Sequence, residues 1–295
     1  MANNWPFLLL NPSAFLVHIS KANSTILTMA QTLPAQNPVI EQRRVMITNK
    51  HGEKLVGLLH ESVSKEIVVL CHGFKSSKGD IVLVNIAAAL EKEGISVFRL
   101  DFVGHGESEG SLLFADFDRE VDDIRAVVQH FSGENRVVSA ILGHSKGASL
   151  ALLYASKYHD IRVIVNVSGR CHLKRDLTED FVEKIKKDGH IDIMNKKGNV
   201  DVRVTEQDLM NILTADMREA CRKISKECRV LTVHGSADKI NPVVDALAFA
   251  EVIRNHQLHI IEGADHRYTS HQTELTAAVV KFIKSALQQD KLARL

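Results

Sequence analysis

The sequence predicts an α/β domain with a mostly parallel central sheet, helices on both faces and an inserted cap. Three observations carry that reading. Short β-branched, apolar runs alternate with segments of helical period along most of the chain. Alternation at this spacing implies right-handed crossovers and a parallel sheet covered on both sides. The alternation then stops between Ser168 and Glu227 and resumes at Arg229.

The elements follow in order. Val45-Met-Ile-Thr48 and Lys54-Leu-Val-Gly-Leu-Leu59 flank a His51-Gly52 turn, a hairpin that gives the sheet an antiparallel start. Glu66–Cys71 is a strand, apolar after its first residue, and it runs into His72-Gly73-Phe74. Ile81, Val84, Ile86, Ala88 and Leu90 fall at helical spacing within 78–93, and Gly94 closes that helix. Ile95–Leu100 is the next strand and leads into the glycine-rich loop 101–110. A helix over 114–131, a strand over 136–142, a helix over 148–156 and a strand over 161–167 complete the first half. Within the charged insert, 177–187 predicts a helix. His190–Met194 and Asn199–Val204 alternate with period two as a hairpin, and 206–213 and 216–225 predict short helices. The core resumes with strands at 229–233 and 258–261, a helix at 243–254 and a terminal amphipathic helix at 269–288. The expected boundaries are a flexible N-terminal extension over 1–37, core over 38–167, a cap or lid over 168–227, and core again over 228–295.

Composition narrows the function. A net charge of +1, with Lys and Arg spread along the chain, gives no electrostatic case for nucleic acid. The four cysteines lack metal-ligand spacing, and a chain of 295 residues does not need disulfides, which suggests a reducing compartment. No apolar run approaches the ~20 residues of a membrane span. The first 37 residues lack the basic start and long apolar core of a secretory signal. The expected location is cytoplasmic, with a plastid transit role for residues 1–28 as the alternative.

The chemistry centres on Gly143-His144-Ser145-Lys146-Gly147, a Gly-x-Ser-x-Gly turn between a buried strand and a helix. That context holds a serine hydroxyl clear of the backbone at the positive end of a helix. A serine needs a base to take its proton, and the base needs an orienting acid. In an open α/β sheet such groups gather at the carboxyl ends of strands. Asp238 follows the strand ending at Val233, and His266 follows the strand ending at Ile261. Other histidines sit before or within a strand (His256, His259) or in the last helix (His271). Asp245 lies inside a helix, and Asp265 abuts the base too closely to orient it. The expected catalytic residues are therefore Ser145, Asp238 and His266. The backbone N–H groups of Phe74 and Lys146 are the expected oxyanion hole. His144 and the Lys146 side chain are expected to be structural or to line the pocket.

Taken together, Cys71-His-Gly-Phe74, Asp101–Ser108, Gly143–Gly147, His234-Gly-Ser-Ala-Asp238 and Gly263-Ala-Asp-His266 resemble serine hydrolases of the α/β-hydrolase superfamily. Within it the likeness is to carboxylesterases related to bacterial feruloyl/cinnamoyl esterases and to plant serine esterases, over roughly 43–287. The resemblance implies an α/β-hydrolase fold, the same five site residues, no metal or cofactor, and a small-molecule ester substrate, in a monomer or homodimer. The alternatives within it are an acylglycerol lipase, a thioesterase, an acyltransferase, or a small-ligand receptor built on the same fold. One departure stands out: many relatives carry Gln or Met where this chain has Lys146, and because the expected hole uses that residue's backbone, activity is expected to survive the change. The oxyanion loop also lacks the Gly-Gly-Gly form of the hormone-sensitive-lipase branch.

Overall fold

The computed structural model describes residues 42–195 and 197–292. The extension expected over 1–37 lies outside the described residues.

Eight strands form one sheet. β1 (Gln42–Thr48) and β2 (Lys54–His60) are the antiparallel hairpin, with Met46 opposite Val56, and β2 pairs antiparallel with β4 (Ser96–Leu100). β3 (Glu66–Cys71), β5 (Val137–His144), β6 (Val163–Val167), β9 (Arg229–Gly235) and β10 (His256–Ile261) join β4 in parallel, giving the order β1-β2-β4-β3-β5-β6-β9-β10.

The interior strands are buried on both faces, and the period of two sorts their side chains. Ile67, Val69 and Cys71 of β3 enter one apolar cluster, and Val68 and Leu70 enter the other. The first cluster is roofed by α2 (Phe117–Gly133), α3 (Lys146–Tyr158) and α7 (Val244–Ala250). The second is roofed by α1 (Ile81–Lys92) and α8 (Gln272–Leu292). Burial of this apolar surface, at about 25 cal/mol per Å², is the main force holding the three layers together.

Helix starts shift from the sequence expectation because caps set them. Asp80 accepts a hydrogen bond from the Val82 amide at 2.9 Å, so α1 begins at Ile81 rather than at 78. Asp116 accepts from the Arg119 amide at 3.2 Å, so α2 begins at Phe117 rather than at 114. The loop 111–116 is thereby freed to run across the carboxyl ends of the strands.

Between β6 and β9 the chain makes its excursion through α4 (Glu179–Asp188), the hairpin β7 (His190–Met194) and β8 (Val200–Thr205), α5 (Glu206–Thr214) and α6 (Met217–Arg222). Thr205 and Asp208 cap α5 reciprocally. α6 packs on α3 and α7, and its Met217 and Cys221 join the first apolar cluster, so it belongs to the helical layer over the sheet. Polar ties to the core include two that reach loops after β3 and before α2. The Ala115 amide donates to Asp208 Oδ1 at 2.9 Å, and Lys75, after β3, pairs with Asp201 on β8.

Candidate active site

Ser145 stands between the end of β5 and the start of α3 with φ 57° and ψ −120°. That backbone region is sparsely populated for a non-glycine residue and is held only by strong surroundings. Here the Ser145 amide donates to Val167 O at 2.9 Å, and the flanking glycines allow close approach. A Cβ on Gly147 would lie 2.4 Å from both Cys71 O and His72 O, so β3 runs directly beneath the turn.

Three elements bring the expected side chains together. His266, in the loop after β10, places Nε2 3.0 Å from Ser145 Oγ and Nδ1 2.7 Å from Asp238 Oδ2, in the loop after β9. The carboxylate fixes the tautomer: Nδ1–H donates to Asp238, and Nε2 is left to accept the serine proton. Asp238 is buried, and its Oδ1 accepts the amides of Ile240 at 2.8 Å and Asn241 at 2.9 Å. Burial pushes its pKa up, but the His266 hydrogen bond and charge and the Asn241 amide outweigh burial and hold the carboxyl below its usual range.

Two further residues support this arrangement. His144 Nε2–H donates to the His266 carbonyl at 2.9 Å, which pins the His266 backbone. Burial and the neighbouring His266 lower His144 to about 4, so it is neutral and keeps that role across the neutral range. Arg170 donates to Asn241 Oδ1 at 2.8 Å and to Ile240 O at 2.9 Å, bracing the turn that cradles Asp238. His144 lies in the Gly-x-Ser-x-Gly turn and was expected to be structural, but its partner, like that of Arg170, is a backbone that only the fold brings near.

The other side of Ser145 is the 72–75 loop. A Cβ on Gly73 would lie 3.0 Å from Ser145 Cβ, so this backbone lies against the serine. His72 holds it there, donating from Nδ1 to Gly73 O at 2.7 Å and accepting at Nε2 from the Phe102 amide at 3.1 Å. Burial lowers His72 to about 3, so it too is neutral. Among the described residues, neither the Phe74 nor the Lys146 amide N–H donates to a protein acceptor. The Phe74 ring packs edge-on against Phe114, with centroids 5.5 Å apart, and makes an aromatic wall beside the serine loop.

The Lys146 side chain, expected to be structural or to line the pocket, is held inside the protein. It is 12% exposed and turns inward, with Nζ 2.9 Å from Leu113 O and 2.7 Å from Glu120 Oε2. Glu120 is buried on α2 together with Val121 and Ile124 and with two further acids, Asp122 and Asp123, so the helix pattern alone did not single it out. Burial raises it to about 7, against the downward pull of the Lys146 charge and hydrogen bond.

Residues 62–219 match the family model of the serine aminopeptidases, S33. The chain belongs to that family. The matched stretch includes Ser145 and ends before Asp238 and His266. Among curated proteins, the chain is 23% identical to an uncharacterised Saccharomyces cerevisiae protein over 259 residues, 77% of this chain and 75% of that one. It is 26% identical to a monoglyceride lipase homolog of Monkeypox virus over 251 residues, 75% of this chain and 88% of the relative. Among solved structures, the esterase Est1E from Butyrivibrio proteoclasticus, determined with ferulic acid bound, superposes with a TM-score of 0.73. It shares 23% identity and covers 83% of this chain and 100% of its own. The hydrolase GrgF from Penicillium superposes at 0.72 with 18% identity, over 84% of this chain and 99% of its own. The fold is the α/β-hydrolase fold, and the protein is a hydrolase. Among the described residues no helix is long and apolar enough to cross a membrane.

Proposed function

We propose that this hydrolase is a serine carboxylesterase acting on small to medium carboxylic esters, aromatic acyl groups included. The observation that carries the reading is the relay from Asp238 through His266 to Ser145, with contacts of 2.7 and 3.0 Å. It ends beside two amides that have no protein acceptor among the described residues.

The chemistry follows from that arrangement. His266 Nε2 takes the Ser145 proton as Oγ bonds to the ester carbonyl carbon. The carbonyl oxygen becomes an oxyanion and accepts from the Phe74 and Lys146 amides, at the positive end of α3. The tetrahedral intermediate collapses, the C–O bond to the alcohol breaks, and His266 returns its proton to the leaving oxygen. Water, deprotonated by the same imidazole, then attacks the acyl-enzyme, releasing the acid and regenerating Ser145. Asp238 keeps the imidazole in the needed tautomer and stabilises its transient charge. The Phe74–Phe114 wall supports aromatic acyl groups, and the ferulic acid held by Est1E points the same way.

The test is steady-state turnover on short-acyl, long-acyl and aromatic-acyl esters and a thioester, with Ser145→Ala beside the wild type. Sustained turnover that needs Ser145 supports the esterase, and the preferred ester names the substrate class. Turnover no greater than that of the variant on every ester refutes it.

A further inference from the structure

The Phe74 loop is not self-supporting. Lys75, directly after Phe74, has φ 55°, in the left-handed region that a residue with a Cβ enters only at a cost. Something outside the loop must therefore hold it. The Lys146 ammonium lies 5.3 Å from the centroid of the Phe74 ring. The same ammonium is 2.9 Å from Leu113 O and 2.7 Å from Glu120 Oε2. Leu113 adjoins Phe114, whose ring closes on Phe74 from another side. One cation thus touches the turn that carries Ser145, the loop that carries Phe74, and the 113–120 segment.

Stability alone gives a poor account of this arrangement. The Glu120 side chain is 1% exposed and that of Lys146 is 12% exposed. Replacing a buried ion pair by apolar residues of similar volume is often neutral or stabilising, so such a pair is weak evidence of a stabilising device. Its geometry suits another task. A cation near an aromatic ring is attracted to the ring quadrupole, and an ammonium fixed by two oxygens gives the ring a rigid seat.

We propose that the Lys146 side chain is a positioning residue for the oxyanion hole: clamped by Glu120 and Leu113, it seats Phe74 and thereby sets the Phe74 amide relative to the Lys146 amide on the same residue. The inference rests on the esterase reading above. It assigns the side chain a task separate from that of its own backbone N–H.

The test compares wild type, K146M and K146M/E120L. Methionine keeps the length and removes the charge, and the double variant leaves no orphaned carboxylate, so it keeps the test open if K146M does not fold. Three readouts are taken: the rate of Ser145 labelling by a fluorophosphonate, kcat and KM on 4-nitrophenyl butyrate, and Tm. Loss of a whole oxyanion donor costs roughly 10²- to 10³-fold in rate, so a misplaced one should cost about 10-fold or more. The expected result is kcat and labelling down about 10-fold in both variants, KM within about 2-fold, and Tm recovered in the double variant. Recovery of kcat together with Tm in the double variant would overturn the inference, because the pair would then act through stability alone. So would a kcat for K146M within about 2-fold of wild type. A wild type that neither labels nor turns over would instead sink the esterase reading, and this inference with it.

Discussion

Glu120→Gln separates two effects that meet on one buried carboxyl. The folded protein holds Glu120 at about 7, from an ordinary 4.5, because burial disfavours its charged form more than Lys146 favours it. The native state therefore binds this proton more tightly than the unfolded chain does. Stability contributed by the group is full below the unfolded value of 4.5 and falls as pH rises through the folded value near 7. Each unit of difference is worth about 1.4 kcal/mol, so the ionised carboxylate costs about 3 kcal/mol at pH 8 and under about 1 kcal/mol at pH 5. Gln cannot ionise and escapes that cost. At pH 5 the folded Glu120 is protonated and, like Gln, places no charge beside Lys146; at pH 8 the attraction of Lys146 for the carboxylate is already contained in the net upward shift and does not enter a second time. Urea unfolding of wild type and E120Q at pH 5 and pH 8 is the assay. The stability of E120Q relative to wild type should rise by about 2–3 kcal/mol between the two, near 5 °C in Tm for a domain of this size. A relative stability that is flat with pH, or that moves toward wild type at pH 8, would show that the Lys146 charge outweighs burial, and the argument would fail.

Three other perturbations follow from the geometry. Ser145→Ala should lower kcat by about 10⁶-fold and Asp238→Asn by about 10⁴-fold, with thermal unfolding little changed; a loss below about 10²-fold on the best ester would remove the residue from the mechanism. Gly147→Ala would put a Cβ 2.4 Å from the carbonyl oxygens of Cys71 and His72, which belong to the buried end of a central strand and cannot turn aside. It should cost about 3 kcal/mol or more in the denaturant midpoint, and a midpoint equal to wild type would refute the close approach. Arg175→Met breaks the contacts of 2.8 and 2.7 Å to the fully buried Asp245, and should cost about 3–5 kcal/mol at neutral pH. Burial raises Asp245, but Arg175 and the His172 amide and ring hold it below 3.8, so this stability is present above that value and is lost as pH falls through the folded one. The gap between wild type and R175M should accordingly narrow in acid, and a gap constant from pH 7 to pH 3 would contradict the pairing.

The sheet was legible because burial on both faces leaves an unmistakable record. Ile67 to Cys71 is a continuous apolar run that ends at the motif residue His72, and Val163 to Val167 is broken only by Asn166. The convergence of Ser145, Asp238 and His266 was legible for a topological reason: parallel strands deliver their following loops to one edge. Helix ends were less legible, since Asp80 and Asp116 act as caps only in the backbone conformation they help to create. A structural place for the Lys146 side chain was legible, but its partners were not, because packing sets them. Glu120 and Leu113 lie on a segment that precedes β5, and nothing local says that a lysine in a tight turn will face inward. Lys75 and Asp201 are separated by most of the core, so their pairing has no sequence signal at all.

Strain and buried polarity gather at the same edge. Among the described residues, six non-glycine residues have positive φ, and four of them, Lys75, Ser145, Ser168 and Tyr268, lie in loops that leave the carboxyl ends of β3, β5, β6 and β10. Such conformations cost on the order of 1–3 kcal/mol each and survive only where the surroundings over-determine them. The contacts at this edge do that. Ser145 N and Ser168 N donate to Val167 O and Val233 O at 2.9 and 3.0 Å. The Tyr268 hydroxyl donates to Val233 O at 3.0 Å and lies 2.8 Å from Ser168 Oγ, locking two strained loops to one strand end. At Lys75 the lock is of another kind: an ion pair to Asp201, with the Lys146 ammonium beneath the preceding phenylalanine. Three strained positions are thus held by buried hydrogen bonds within the core, and the fourth by charges that reach the cap hairpin and α2. The Phe74 loop, through Lys75 and Asp201, and the Asp238 turn, through Arg170, are both tied to the excursion between β6 and β9.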